Sequence, residues 1–176
     1  MDIGGQMRKS TVLIIALILW CYANNTKADG ISYVSSSIPI TSIEDVNRQA
    51  EAWGACSATW TLMASIAEEG SAQAELSDQM ANGAKLALAM TYIMDLADDP
   101  KPGRLKSTWI YAKEAMEFMP ETQLTVMMAD FEQIGSDKWV QNVIATKKVC
   151  EDNLDGQQIY IDTWRNLATS GLLEYE

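Results

Sequence analysis

Two long stretches of the sequence, one on each side of Gly70, place apolar and small residues at alternating steps of three and four. Such steps keep one face of an α-helix pointing inward over many turns, whereas a β-strand needs alternation at every second residue. The repeated positions are Val46, Ala50, Trp53, Ser57, Trp60, Ala64 and Ala67, and then Leu76, Met80, Gly83, Ala87, Met90, Met94 and Ala97. The pattern predicts two long helices that fold back at Gly70 as an antiparallel hairpin.

Capping and breaking residues predict where the helices begin and end. Thr41 and Glu44 have the spacing of a capping box, and Pro120 has the character of a first helical residue. The predicted helices are 42–69, 71–97, 105–119, 120–134, one that starts at Ser136 and contains Cys150, and 157–169. No stretch alternates with a sustained period of two. The sequence therefore predicts an all-α, compact antiparallel bundle of five or six helices with a long N-terminal helical hairpin.

The first residues have the parts of a secretory signal peptide. A short basic segment precedes an apolar run over 11–23, which is shorter than the ~20 residues of a membrane-spanning helix. Thr26 and Ala28 supply the small side chains that cleavage requires, so the cut is predicted before Asp29. The alternative is an uncleaved anchor, which would hold the domain at the membrane. The predicted division is a signal peptide over 1–28, an extended lead-in over 29–41, one helical domain over 42–170 and an acidic tail over 171–176.

The cysteines fit an exported chain. Cys21 lies within the signal peptide, which leaves Cys56 and Cys150 as a pair in an oxidising compartment. We expect the pair to form a disulfide that links the first predicted helix to the fifth. Two buried free thiols are the alternative. The predicted localisation is periplasmic or secreted.

The charge and the missing histidine restrict the function. The chain carries 13 basic and 24 acidic residues, a formal charge of −11 at pH 7, and such a surface repels nucleic acid and anionic lipid. The sequence contains no histidine, which removes Ser-His and Cys-His nucleophiles and histidine-ligated zinc. The favoured partner is therefore another protein, with a basic surface as the complement, and the membrane is contacted only through the N-terminal segment before cleavage.

One segment resembles the calcium-binding loop of an EF-hand. Aligned on Gly156, the oxygen ligands would be Glu151, Asn153, Asp155 and Asp162. The twelfth position holds aspartate instead of the bidentate glutamate, and no second loop is present. A turn between two helices is the favoured interpretation, so no metal and no cofactor is predicted.

Two further residue types suggest binding. Trp109, Trp139 and Trp164 lie off the main stripe and are candidate aromatics of a binding face. Methionine pairs such as Met90 and Met94 share a helix face, where sulfur could hold cuprous copper, although the same spacing suits an adaptable core. Core packing is the favoured role of the methionines.

Together these features predict an exported, non-enzymatic binding protein, an acidic inhibitor or immunity-type protector of a periplasmic partner. The first alternative is an accessory subunit held at the membrane by an uncleaved signal anchor. The second is a hydrolase that uses carboxylates alone, which would need two buried acids converging on a cleft.

Overall fold

The computed structural model describes residues 30–34, 38–96 and 103–171, and the predicted signal peptide lies outside these ranges. Within them the chain forms five α-helices and no strand, which confirms the predicted all-α bundle. The elements are a 3₁₀ turn Ile40–Ser42 and the helices α1 Val46–Ile66, α2 Ala72–Asp95, α3 Arg104–Ile134, α4 Ser136–Glu151 and α5 Leu154–Thr169.

The predicted hairpin is the centre of the fold. Helices α1 and α2 share the most extensive contact of any helix pair. Ala55 and Ala58 on α1, with Ala84 and Ala87 on α2, are fully buried, so small side chains let the two helices pack closely. Gly70 turns the chain between them in the left-handed region, with φ of 73°.

The start of α1 differs from the predicted capping box. Asp45 is the N-cap residue, and its carboxylate accepts a hydrogen bond from the Arg48 backbone amide at 2.9 Å. Thr41 instead belongs to the 3₁₀ turn, where its methyl group packs against Gly156. A Cβ at Gly156 would lie 2.9 Å from Thr41 Cγ2, so a larger residue there would force the Thr41 side chain to shift.

The predicted break at Pro120 is wrong. Pro120 is buried within the continuous helix α3. Proline removes one backbone hydrogen bond and crowds the preceding turn, which favours a break in an isolated helix. Here α3 packs against both α1 and α2, and this packing outweighs the local cost.

Residues 30–34, which we call the N-terminal strap, lie along α4 and are tied to its side chains. The Ile31 amide donates to Asn142 Oδ1 at 2.9 Å, and the Tyr33 amide donates to Thr146 Oγ1 at 2.8 Å. Asn142 and Thr146 are one helical turn apart, so they meet alternate amides of an extended chain. The Ile31 and Tyr33 amides of the strap therefore find acceptors without forming a sheet.

Replacing Gly30 by alanine should release the strap from α4. A Cβ at this position would overlap the backbone of Gln141 and Asn142, which cannot rotate away. We expect a loss of about 1–3 kcal/mol in the free energy of unfolding, and faster hydrogen exchange at the Ile31 and Tyr33 amides. Ile31→Ala, at a side chain that is 73 % exposed, is the control. Unchanged exchange in Gly30→Ala would show that the strap does not need this close approach.

The disulfide joins α1 to α4. Cys56 and Cys150 are bonded, both are buried, and their Cα atoms are 5.5 Å apart. The predicted pairing is therefore confirmed, and it indicates an oxidising compartment. Within the described ranges, no helix has both the length and the apolar composition of a bilayer span.

Candidate functional site: the outer seam of helix α3

Helix α3 buries little of its surface for its length. Of its 31 residues, only Ala112, Ala115, Pro120 and Met127 are buried. Several large apolar side chains on its outer side are 45–49 % exposed, namely Ile110, Tyr111, Phe118, Val126 and Met128. Single exposed apolar residues are ordinary, but five on one helix form a patch of the kind that marks an interaction site.

A regular spacing organises this exposed side. Six exposed residues follow one another at steps of three, four, three, four and three, and we call them the outer seam: Tyr111, Glu114, Phe118, Glu121, Thr125 and Met128. These steps keep all six on one face of the helix. Along the first three turns of the seam, aromatic and acidic side chains alternate.

The charged residues beside the seam leave its glutamates available. Glu117, on the neighbouring row, accepts a hydrogen bond from Lys85 Nζ at 3.3 Å. Such an exposed ion pair contributes little to stability. Lys113 lies 5.9 Å from the centre of the Trp109 ring, away from the seam. Within the described ranges, neither Glu114 nor Glu121 forms an ion pair, so their charges belong to the seam itself.

A recess of about 240 Å³ adjoins the N-terminal end of the seam, where α2 meets α3. Tyr92 and Tyr111 line it and meet edge to face, with ring centres 5.0 Å apart. Burial, followed by the neighbouring Tyr111, raises the pKa of the Tyr92 hydroxyl, which therefore stays neutral. Tyr111 belongs to both features, so the recess extends the exposed surface of the seam.

A larger recess of about 540 Å³ lies beside the 3₁₀ turn and the start of α1. Its lining is polar and includes Glu44, Arg48 and Glu51. Tyr33 also lines it, and burial, followed by the neighbouring Asp130 carboxylate, raises the pKa of Tyr33 to about 12. The recess adds to the acidic character of the surface.

The three tryptophans predicted for a binding face are not part of the outer seam. Trp139 is 2 % exposed, and its Nε1 donates to the Met127 carbonyl at 2.6 Å, so it belongs to the core. The prediction failed at Trp139 because its indole N–H finds a buried backbone acceptor. Trp109 and Trp164 are half-buried and pack against the core.

The residues of the calcium-loop hypothesis are not brought together. Helix α5 begins at Leu154, so only two residues separate it from α4, and no twelve-residue loop forms. Three of the four side chains have partners within the protein, namely Glu151 with Lys147, Asn153 with the Ile40 amide and Asp162 with Arg165. Among the described residues, no group of three or more His, Cys, Asp or Glu side chains could hold a metal ion.

The hydrolase alternative requires two buried acids facing one cleft. The buried polar side chains in the described part of the chain are amides and hydroxyls, without an aspartate or a glutamate. Among the carboxylates of residues 30–34, 38–96 and 103–171, Asp130 is partly buried and the others are exposed. The described residues therefore do not present the geometry that this alternative predicts.

The outer seam is the feature that the sequence interpretation missed. The sequence predicts an inward face of α3 that includes Ala112, and it contains the heptad spacing from Tyr111 to Met128, but it does not show that the residues with this spacing are exposed. Two other residues predicted to face inward, Leu76 and Met94, are 47 % and 42 % exposed, because the apolar stripe of α2 extends beyond its packed neighbours. No family model, curated protein or solved structure matches the chain. Any proposal about its function must therefore rest on the chain's own sequence and structure.

Proposed function

We propose that this chain is an exported, non-enzymatic binding protein that binds a protein partner through the outer seam of α3. The observation that carries the proposal is the set of half-exposed aromatic and apolar residues on a helix that buries only four of its residues. Aromatic side chains with a polar surround are typical of the residues that dominate protein interfaces.

An inhibitor or protector role suits the shape and charge of this surface. A helix side is convex, so it fits a concave surface such as a groove in a partner. The acidic surface, with a chain charge of −11, would speed the encounter with a basic partner and discourage acidic ones. Masking a basic cleft would inhibit or protect the partner without chemistry on the part of this chain.

Export predicts a defined mature N-terminus. N-terminal sequencing of the protein from the exported fraction should begin at Asp29, and Ala28→Arg should block the cut because cleavage needs a small residue there. Cleavage before Asp29 would leave Gly30 in place for the strap. Retention of residues 1–28 in the mature protein would instead support the membrane-anchored alternative.

Replacing Phe118 by alanine should remove most of the capture of the partner. The full mature chain is immobilised and exposed at low salt to the exported-protein fraction of its own cells. A central aromatic residue contributes about 2 kcal/mol or more to an interface, so we expect recovery of the partner to fall roughly thirtyfold. Quantitative mass spectrometry of the captured protein measures the change.

The control for this experiment is Ile159→Ala. Ile159 is 64 % exposed, lies on α5 and is not part of the outer seam, so its replacement should leave capture unchanged. Equal loss in both variants would indicate non-specific apolar adhesion. The proposal fails if the wild type captures no stoichiometric protein or if Phe118→Ala captures as much as the wild type.

A further inference from the structure

We infer that the outer seam is a helix-pairing surface whose partner is a basic amphipathic helix of another protein. This inference rests on the proposed function and specifies the chemistry of its partner. It follows from the register of the seam, from the charges within it and from the pairings that those charges disfavour.

The register is that of a coiled-coil stripe. Tyr111, Phe118 and Thr125 are seven residues apart, and Glu114, Glu121 and Met128 form the second row of the same heptad. A second helix packed along such a stripe meets side chains from both rows at each turn. Each heptad advances about 10.5 Å along the axis, so the seam offers more than two heptads of continuous surface. A loop or a flat sheet would not match this repeat.

The charges define what the second helix must carry. Glu114 and Glu121 occupy positions that face the partner directly, where their carboxylates would lose much of their water. Such a loss is compensated only when a cation approaches and forms hydrogen bonds, which lysine or arginine can do. Tyr111 and Phe118, which alternate with these glutamates along the seam, require apolar contacts. The matching helix therefore alternates apolar and basic residues with the period of the seam.

The same charges disfavour the other occupants of this face. In a parallel pair of two copies, Glu114 and Glu121 would each lie opposite their own equivalents, and like charges would repel. In an antiparallel pair, the glutamates would be desolvated against apolar residues without a cation. Anionic lipid and nucleic acid would be repelled by the same carboxylates.

Two synthetic helices test the inference on the full mature chain. Both have about four heptads with leucine on one row, and the second row carries lysine in one peptide and glutamate in the other. We expect the lysine peptide to bind wild-type protein and the glutamate peptide not to bind. The double variant Glu114→Lys/Glu121→Lys should bind the lysine peptide on the order of a hundredfold more weakly and should gain affinity for the glutamate peptide.

A charge-matched control separates the seam from the general acidity of the protein. Glu68→Lys/Glu69→Lys changes the net charge by the same amount at the exposed turn between α1 and α2. It should bind the lysine peptide within a few-fold of wild type, because both residues lie outside the outer seam and salt screens exposed charges that do not contact the peptide. Isothermal titration calorimetry measures all affinities, and circular dichroism verifies that each variant is folded.

The outcomes distinguish the inference from the function on which it rests. The inference is overturned if wild type ignores the lysine peptide, if the two double variants lose affinity equally, or if light scattering shows that the chain pairs with itself through this face. If capture of a natural partner depends on Phe118 and not on Glu114 and Glu121, the proposed function stands and the basic helix is wrong. If no partner is captured at all, the proposed function itself fails.

Discussion

Replacing Cys56 and Cys150 together by alanine should lower the free energy of unfolding by about 4 kcal/mol. The bond closes a loop with a sequence separation of 94 residues, so its removal gives the unfolded chain many additional conformations. Both cysteines are almost fully buried, and alanine fits such a site without introducing a polar group. The destabilisation should therefore come mainly from the lost crosslink.

Urea denaturation followed by tryptophan fluorescence measures this loss. The double variant should unfold at the same urea concentration with and without a thiol reductant. The wild type, once fully reduced, should approach the double variant, which serves as the internal control. A double variant within about 1 kcal/mol of the oxidised wild type would show that the helix packing alone holds α4 on α1.

Replacing Trp53 by alanine should cost a similar amount, about 4 kcal/mol. Trp53 is the largest side chain with no exposure, and its ring meets Tyr160 edge to face with centres 6.0 Å apart. It thereby connects α1 to α5. Truncation leaves a cavity that Gly156, which lies near the Cη2 edge of the ring, is too small to fill. The same urea titration measures the loss.

The substitution Trp53→Phe separates packing from polarity at this site. The indole Nε1 is buried and has no hydrogen-bond partner in the described part of the chain. Phenylalanine loses volume but also removes this unsatisfied donor, so we expect a loss of only about 1–2 kcal/mol. Phe118→Ala, at an exposed position, should change stability by about 0.5 kcal/mol or less. A Phe variant as unstable as the Ala variant would show that an unseen partner satisfies the indole.

The sequence was most informative where the local signal and the tertiary packing favour the same result. The steps of three and four through Trp53 and Ala87 predicted the hairpin, and the burial of both residues confirms it. It was misleading where packing outweighs a local rule. Pro120 breaks an isolated helix, yet here it is buried and α3 continues through it.

The environment of individual side chains was the feature least predictable from the sequence. The indole of Trp139 donates to the Met127 carbonyl in the core. The neighbouring sequence does not distinguish Trp139 from an exposed tryptophan. The outer seam was hidden for a related reason. Apolar residues such as Phe118 and Met128 are ordinarily assigned to a core, and only the position of α3 on the hairpin shows which of its faces remains uncovered.

The sequence by itself determined the helical class, the long hairpin and the pairing of Cys56 with Cys150, because periodicity and the count of cysteines are properties of the chain alone. The continuity of α3 and the exposure of its outer seam were decided only by the tertiary structure. Burial depends on which neighbour covers which face, and that depends on contacts between residues far apart in sequence. The candidate site is a face of a long helix that the contacts among the described residues leave uncovered.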